Sequence, residues 1–469
     1  MDKKNVSNST KPIAPPAGLQ AIINQCMKIY PDQPNPLQVT TVVKYWLGGH
    51  DPLDYISMYR NDGDAELNIP SHWHYVTFGL SDLHGDGRVH STDDTDNPDQ
   101  RSGMGFELTF RLLKKSSNNA IKQKQEEEED LPPIWPANLL QQLARYVFQT
   151  GNRLCAGDNV PWKKSLDNSI SNIQHMLIAQ DPQLNRILSP FGWVNFCQIV
   201  GVTDEELNQA SWWKGTGVLN LLSKDPQTGG EWLVTDMERS QSVFELFPKT
   251  LNELKQNLED EGSDLAGINA DFMFKEIPKS HIKVEIDSKT INAQIQMKLL
   301  NDNIDAPLMK SESNDARFFE AMSCSNSLDK SAMSIIRSEL MSQPRAIPLE
   351  GLELKIGPDF AKYLCLAIKD RIRHGRHFTL KNDNLALTFV SESVTGDGVA
   401  VSKREPYALY GFWLQVLITD DIVPQMIKSF QYLADPNEKF DLPLTFEWPD
   451  KNLSIIIDNL TQELPCGLE

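Results

Sequence analysis

Phe106-Glu-Leu-Thr-Phe-Arg-Leu-Leu113 is the plainest strand in the chain: Phe106, Leu108, Phe110 and Leu112 recur at every second position, with Glu107, Thr109 and Arg111 between them. A repeat of two is that of an extended backbone, so one side of this segment lies on a core. Tyr75-Val-Thr-Phe78 upstream and Ile173-Gln-His-Met-Leu177 downstream read as partners in the same sheet. From Pro136 to Gln149 the period changes. Leu139, Leu143, Tyr146 and Val147 fall at helical spacing behind a proline in the first turn. Ile187 to Thr203 is the longest uncharged run, but Ser189, Pro190, Gly192 and Asn195 make it a poor membrane span and a good buried strand pair. Thr203-Asp-Glu-Glu206 has the form in which the Thr hydroxyl and the Glu carboxylate each cap a backbone donor. Leu207 and Trp212 follow it, which favours a helix start over an acidic loop.

A second core begins near Leu349. Leu352, Leu354 and Ile356 alternate, Leu385, Leu387 and Phe389 line another strand, and Ile422, Met426, Ile427 and Phe430 recur at helical spacing. Strands and helices are thus mixed in both halves, an α+β class. The expected division is a flexible tail over 1–18, an N-terminal domain over 19–262 and a C-terminal domain over 263–469. Two stretches fall outside these cores. Residues 114–131, ending in Glu126-Glu-Glu-Glu-Asp130, repel one another and read as a mobile acidic loop. Residues 303–335, with Ser311, Ser313, Ser323, Ser325 and Ser327 and few aromatics, read as a disordered insertion. Its serines could take a kinase's phosphate, although an inert linker is the commoner use of such a segment. Thr290 to Leu300, with Ile291, Ile295 and Leu299 on one face, reads as a helix of the C-terminal domain.

The 469 residues carry 45 Lys and Arg against 64 Asp and Glu, a net charge of −19. Phosphate backbones and anionic head groups repel such a chain, which argues against direct nucleic-acid or membrane binding. Six scattered cysteines are too few for a disulfide scaffold. Met1 to Gly18 holds no apolar run of a signal peptide or anchor. A cytoplasmic protein, also reaching the nucleus, fits these features.

Catalytic patterns are missing. The chain contains no G-x-x-x-x-G-K-[ST], G-x-S-x-G, H-E-x-x-H or C-x-x-C, and Gly103-Met-Gly105 and Gly215-Thr-Gly217 lack the third glycine of a dinucleotide loop. The alternative worth weighing is a metal-dependent enzyme built on His72 and His74, which share one side of a strand, with Asp82 and His84 downstream. Surface residues of these types are far commoner than ligands. Arg371-Ile-Arg-His-Gly-Arg-His377 is a basic island in which Arg371 and Arg373 share a face of an extended segment and could fork onto a carboxylate of an acidic peptide. A strand face with internal ion pairs explains it equally well. Cys155-Ala-Gly-Asp158-Asn-Val-Pro-Trp162 sets a carboxylate in a glycine loop beside an aromatic, a form also taken by ordinary turns.

Longer runs carry more. Tyr30-Pro-Asp-Gln-Pro-Asn-Pro-Leu-Gln-Val39, Lys44-Tyr-Trp-Leu-Gly-Gly49, Asp51-Pro-Leu-Asp-Tyr55, His72-Trp-His-Tyr75, Phe78-Gly-Leu-Ser-Asp-Leu83, Leu143-Ala-Arg-Tyr-Val-Phe-Gln149 and His374-Gly-Arg-His-Phe378 resemble the Suppressor of Fused family, in its insect form. The resemblance extends from about Gly18 to the C-terminus. It implies two globular domains forming a bilobed clamp, no catalysis and no cofactor. It also implies a Gli or Cubitus interruptus zinc-finger transcription factor as partner, negative regulation of Hedgehog (Smoothened) signalling, and the Fused kinase and a kinesin-like Costal protein as further partners. The factor's Ser-Tyr-Gly-His segment would add as a β-strand between the domains. The family's peptide-binding positions carry over onto Tyr146, Asp158 and Gln180 in the N-terminal domain, and onto Asp359, Tyr363 and Arg371 in the C-terminal domain, with Asp158 pairing with the segment's histidine. Vertebrate members have Glu where Gln180 stands and Leu where Tyr363 stands.

Overall fold

The computed structural model describes residues 15–90, 100–114, 131–278, 346–383, 385–396, 398–434 and 440–460. Of the expectations above, all of the acidic loop but Lys114 and Leu131, the insertion over 303–335 and the helix over 290–300 lie outside the described residues. The chain divides into two compact units, 1–254 and 255–469.

The first unit runs α1 (Ala17–Ile29), β1 (Leu37–Thr40), β2 (Tyr55–Asn61), β3 (His72–Phe78), β4 (Arg101–Leu113), α2 (Trp135–Thr150), β5 (Asn159–Val160), β6 (His175–Gln180), β7 (Ile187–Ser189), β8 (Gly192–Val202), α3 (Asp204–Trp212), α4 (Gly215–Leu222) and α5 (Val243–Leu246). The next helix, α6 (Lys249–Glu261), carries the division between units. Eight strands make one sheet in the order β1-β2-β3-β4-β8-β6-β5, with β7 added on β8. Only the β4–β8 pair is parallel. The uncharged run from Ile187 is indeed two paired antiparallel strands.

Phe106, Leu108, Phe110 and Leu112 pack with Leu140, Leu143 and Val147 of α2 in the main core. The other face of β4 is buried as well: Glu107, Thr109 and Arg111 are fully enclosed. On that side α1 contributes Ile22 and Cys26 to a second cluster with Tyr59, Val76, Phe78 and Phe196. Gly103 and Gly105, the pair without a third glycine, sit inside β4 at φ of +57° and +86°, where the β4–β8 register shifts. A side chain on Gly103 would stand 2.8 Å from the Asp82 amide, so the bulge there requires glycine. The capping box forms as expected, with the Thr203 hydroxyl accepting from the Glu206 amide at 3.3 Å and the Glu206 carboxylate accepting from the Thr203 amide at 2.9 Å.

The second unit comprises β9 (Gly267–Asn269), β10 (Phe272–Glu276), β11 (Ile347–Leu349), β12 (Leu352–Ile356), α7 (Ala361–Leu366), β13 (Phe378–Lys381), β14 (Ala386–Ser391), β15 (Tyr407–Tyr410), β16 (Trp413–Ile418), α8 (Val423–Phe430), β17 (Leu444–Trp448) and β18 (Leu453–Ile457). They form a four-stranded sheet, β10-β12-β18-β17, and a six-stranded sheet, β11-β15-β16-β14-β13-β9. Leu352, Leu354 and Ile356 are fully buried, as their alternation requires, and Met426 and Phe430 bury the inner face of α8. The α+β class holds in both units.

Candidate functional site

The 151–158 connection is built by its backbone. Gly151, at φ +73°, ends α2 in the left-handed form, with its N–H on the Val147 carbonyl at 2.9 Å. Asn152 then turns back to donate to the Tyr146 hydroxyl at 2.9 Å, which fixes that half-buried ring. Gly157 donates to the Ile178 carbonyl at 2.8 Å, and Ile178 donates to the Asp158 carbonyl at 3.0 Å, so the loop is laced to β6 before β5 begins. The Asp158 carboxylate accepts from the Cys155 amide at 2.8 Å. Gln180 lies two residues along β6 from Ile178, exposed, with its amide donating to the Phe196 carbonyl at 3.0 Å. Asp158 thus lies beside Ile178, two residues along β6 from Gln180, while Asn152 ties Tyr146 to the start of the same connection. β5 ends the sheet, and among the described residues its outer side pairs with nothing. Asn152 is the neighbour that sequence reading missed; a polar residue just after a helix-ending glycine was the available signal.

In the second unit Asp359 is exposed on the turn of 3-10 helix Pro358–Phe360, and Tyr363 is half-buried on α7 with the Lys362 ammonium 5.1 Å from its ring centre. Arg371 departs from expectation. The chain there is not extended: α7 runs on through a π-helical turn, Ala367–Arg371, and a 3-10 turn, Ile372–His374, until Gly375 at φ +72° stops it. The buried Ala361, Leu364, Cys365, Ile368 and Ile372 follow a helical period that the charges around them masked. The Arg371 guanidinium is buried and donates to the His377 carbonyl at 3.0 Å and the Ser263 carbonyl at 2.8 Å. Burial, with Arg376 second, lowers it to about 10. Arg373 and Lys369 pair with Glu259 at 2.6 and 2.7 Å, and Arg376 pairs with Asp264 at 3.2 Å. The basic island is thus largely neutralised within its own unit.

Asp370, on the same turn, is buried, its Oδ1 has no hydrogen-bond partner, and burial pushes its carboxyl up to about 6. A folded-state pKa raised above the unfolded one means that ionisation opposes folding. The stabilising contribution is full below about pH 4 and is lost as pH rises through 6. Asp370→Asn is expected to raise stability at pH 7 by roughly 1–3 kcal/mol, with little gain at pH 4, measured by urea denaturation at both. A variant less stable than the parent at pH 7 contradicts this.

The metal reading of His72, His74, Asp82 and His84 is corrected by their partners. His72 accepts from Arg111 at 2.9 Å, with its other nitrogen on the Pro70 carbonyl, and His74 is held between Tyr30 and Asp181. Asp82 accepts from the amides of His84 and Gly85, while His84 faces Asp54. Among the described residues no three His, Cys, Asp or Glu side chains converge on a metal position. The polar groups here are spent on closing the interior and a loop.

The family model described as "Suppressor of fused protein (SUFU)" matches residues 49–240, and the one described as "Suppressor of Fused Gli/Ci N terminal binding domain" matches residues 252–457. The Suppressor of fused homolog of Homo sapiens is 43% identical over 488 residues, covering 96% of this chain and 96% of that protein. The Mus musculus homolog is 43% identical over 462 residues, covering 94% and 91%. The crystal structure of Drosophila Suppressor of Fused is similar with a TM-score of 0.78 at 51% identity, over 95% of this chain and 97% of that one. None of these relatives is named for a catalytic activity. Two family models placed in succession and near-complete coverage of both homologues agree: the chain belongs to the Suppressor of Fused family.

Proposed function

We propose that this chain is a non-catalytic binding protein that takes a Ser-Tyr-Gly-His segment of a Gli or Cubitus interruptus factor as an added β-strand. By holding the factor it keeps it from the nucleus and represses Hedgehog target genes. Tyr146, Asp158 and Gln180 of the first unit and Asp359 and Tyr363 of the second are the contacts. Arg371 acts from behind by holding the backbone at Ser263. The observation that carries this reading is that β5 ends its sheet with no further strand paired to it, directly after a carboxylate anchored by its own loop. An added strand gains backbone hydrogen bonds there, and Asp158 selects a cationic neighbour. The family resemblance supports the Fused kinase and the kinesin-like Costal protein as further partners. No described helix is long and apolar enough to cross a membrane.

A carboxylate–imidazolium hydrogen bond contributes about 1.5–3 kcal/mol when desolvated. Asp158→Ala is therefore expected to weaken a titrated Ser-Tyr-Gly-His peptide by about ten-fold or more. Asp158→Asn keeps an acceptor for the Cys155 amide and removes only the charge. Wild-type affinity should fall as pH rises from 6 to 8 and the peptide's imidazolium loses its proton, whereas the Asn variant should show little slope. Equal affinities for all three proteins would sink the assignment.

A further inference from the structure

The other edge of the large sheet is also open. β1 pairs with β2 alone, and among the described residues no further strand pairs with its outer side. Apolar side chains gather on and after it: Leu37 is 50% exposed, Val42 is fully exposed, and Val43, Trp46 and Leu47 face solvent too. A bare edge invites another strand, and proteins ordinarily blunt it with charge or cover. Leu37-Gln-Val-Thr40 carries no charge.

Two hollows open on one face of this edge. The first, of 350 Å³, is bordered by Leu37, Met58 and Trp73; the second, of 490 Å³, by Val39, Ile56 and Gln141. Leu37 pairs with Met58 and Val39 with Ile56, so the hollows are offset by two residues along the ladder. That offset is the repeat of side chains on one face of a strand, about 7 Å. The Thr41 hydroxyl, on the wall of the second hollow, is buried without a partner.

Charge narrows the occupant. Asp51 is paired with Arg145, Asp54 with Lys44, Asp62 with Arg60 and Asp86 with Arg88, and the Arg88 guanidinium lies 4.6 Å from the Trp46 ring centre. These pairs cancel, and Asp32 on the wall of the first hollow leaves the strip slightly negative within a chain of net charge −19. A second copy would bring the same −19 and be repelled, as would an acidic peptide, whereas an uncharged segment meets no such opposition.

We propose that the β1 edge is a second docking surface, which takes an extended, uncharged segment of a partner protein as an added strand and seats two apolar side chains, two residues apart, in the paired hollows. Backbone hydrogen bonds supply affinity and the alternating hollows supply selectivity. The surface does not depend on Asp158, which sits at the opposite edge.

The test is to pan the full chain against a phage library of short random peptides, then titrate the synthesised winners. Peptides with apolar residues at i and i+2 and no acidic residue should emerge. The double variant Val42→Asp, Val43→Asp changes exposed positions that the fold does not use, and should weaken those peptides about ten-fold or more, while Asp158→Ala leaves them unchanged. No shared pattern, affinities indifferent to the double variant, or affinities lost in Asp158→Ala would each overturn the proposal. Sedimentation adds a further check: a dimer dissolved by the double variant would hand the edge to a second copy and overturn it too.

Discussion

Arg111→Met is expected to lower the unfolding free energy by about 3–5 kcal/mol, because it strands a buried carboxylate without its cation. Arg111 is fully buried, and its guanidinium donates to the Asp181 carboxylate at 3.1 and 3.3 Å, to His72 and Gln183 at 2.9 Å each, and to Gln198 at 3.0 Å. Asp181 also accepts from His74, Thr109 and the amides of Gln183 and Leu184. The donors run in one direction: the Asn61 amide to the Tyr30 hydroxyl, that hydroxyl to His74 Nδ1, and His74 Nε2 to Asp181. This order requires a neutral His74 with its proton on Nε2. Burial, with the Arg111 charge second, lowers His72 to about 3 and His74 to about 4. Burial alone would raise the Asp181 carboxyl, but Arg111 and His74 hold it far below the usual range.

The pH dependence follows from those directions. Depressed imidazoles mean that the unfolded chain takes up protons first, so stability is full above about pH 6.5. Each histidine then removes about 1.4 kcal/mol per unit as pH falls toward its folded value. The Asp181 contribution is lost only in stronger acid. Urea denaturation at pH 7 and pH 5 should show a steep acid loss in the parent. Pairing Arg111→Met with Asp181→Leu should restore much of the deficit, since apolar replacements of a whole buried pair are tolerated. A single variant within 1 kcal/mol of the parent would show that the carboxylate finds other compensation.

How much of this was legible in the sequence depended on whether the partner lay nearby in the chain. The alternation of β4 exposed its apolar face directly, but Arg111 meets Asp181 across 70 positions and His74 meets it across 107, so the buried polar face was invisible. The Thr203–Glu206 box was local and readable. Ser242-Val-Phe-Glu245 has the same form and makes the same two bonds, at 3.1 and 2.8 Å, yet was passed over. Around Arg371 the cluster of charge hid the apolar helical period beneath it. Asp158 looked like one more Gly-Asp turn; a β5 strand of two residues is too short to leave a pattern, so family resemblance alone proposes a role for it.

Glu107 makes the opposite case to Arg111, an enclosed carboxylate held with no cation at all. Its Oε1 accepts from the amides of Gly79 and Ser81 at 3.0 and 2.9 Å and from the Ser81 hydroxyl at 2.5 Å, and its Oε2 accepts from the Thr77 hydroxyl at 2.7 Å and the Leu80 amide at 3.4 Å. These bonds hold the chain as it leaves β3. Glu107→Ala abandons all five donors inside a buried core and should cost roughly 3–5 kcal/mol, since hydrogen bonds to a charged group contribute more than neutral ones and orphaned donors add their own penalty. Burial pushes the carboxyl up to about 6 against the pull of those bonds. A raised folded-state pKa places the stabilising contribution below about pH 4.5 and removes it as pH rises through 6. Glu107→Gln is neutral at every pH and keeps a carbonyl for the Oε1 donors. Its stability relative to the parent should therefore improve between pH 5 and pH 7 by up to about 2 kcal/mol, on top of a constant cost at Thr77 and the Leu80 amide. The difference between the two proteins, followed by urea denaturation across that range, removes the histidine contributions they share. A flat difference would mean that the five donors keep Glu107 ionised throughout, and that backbone and hydroxyl dipoles alone can replace its solvation.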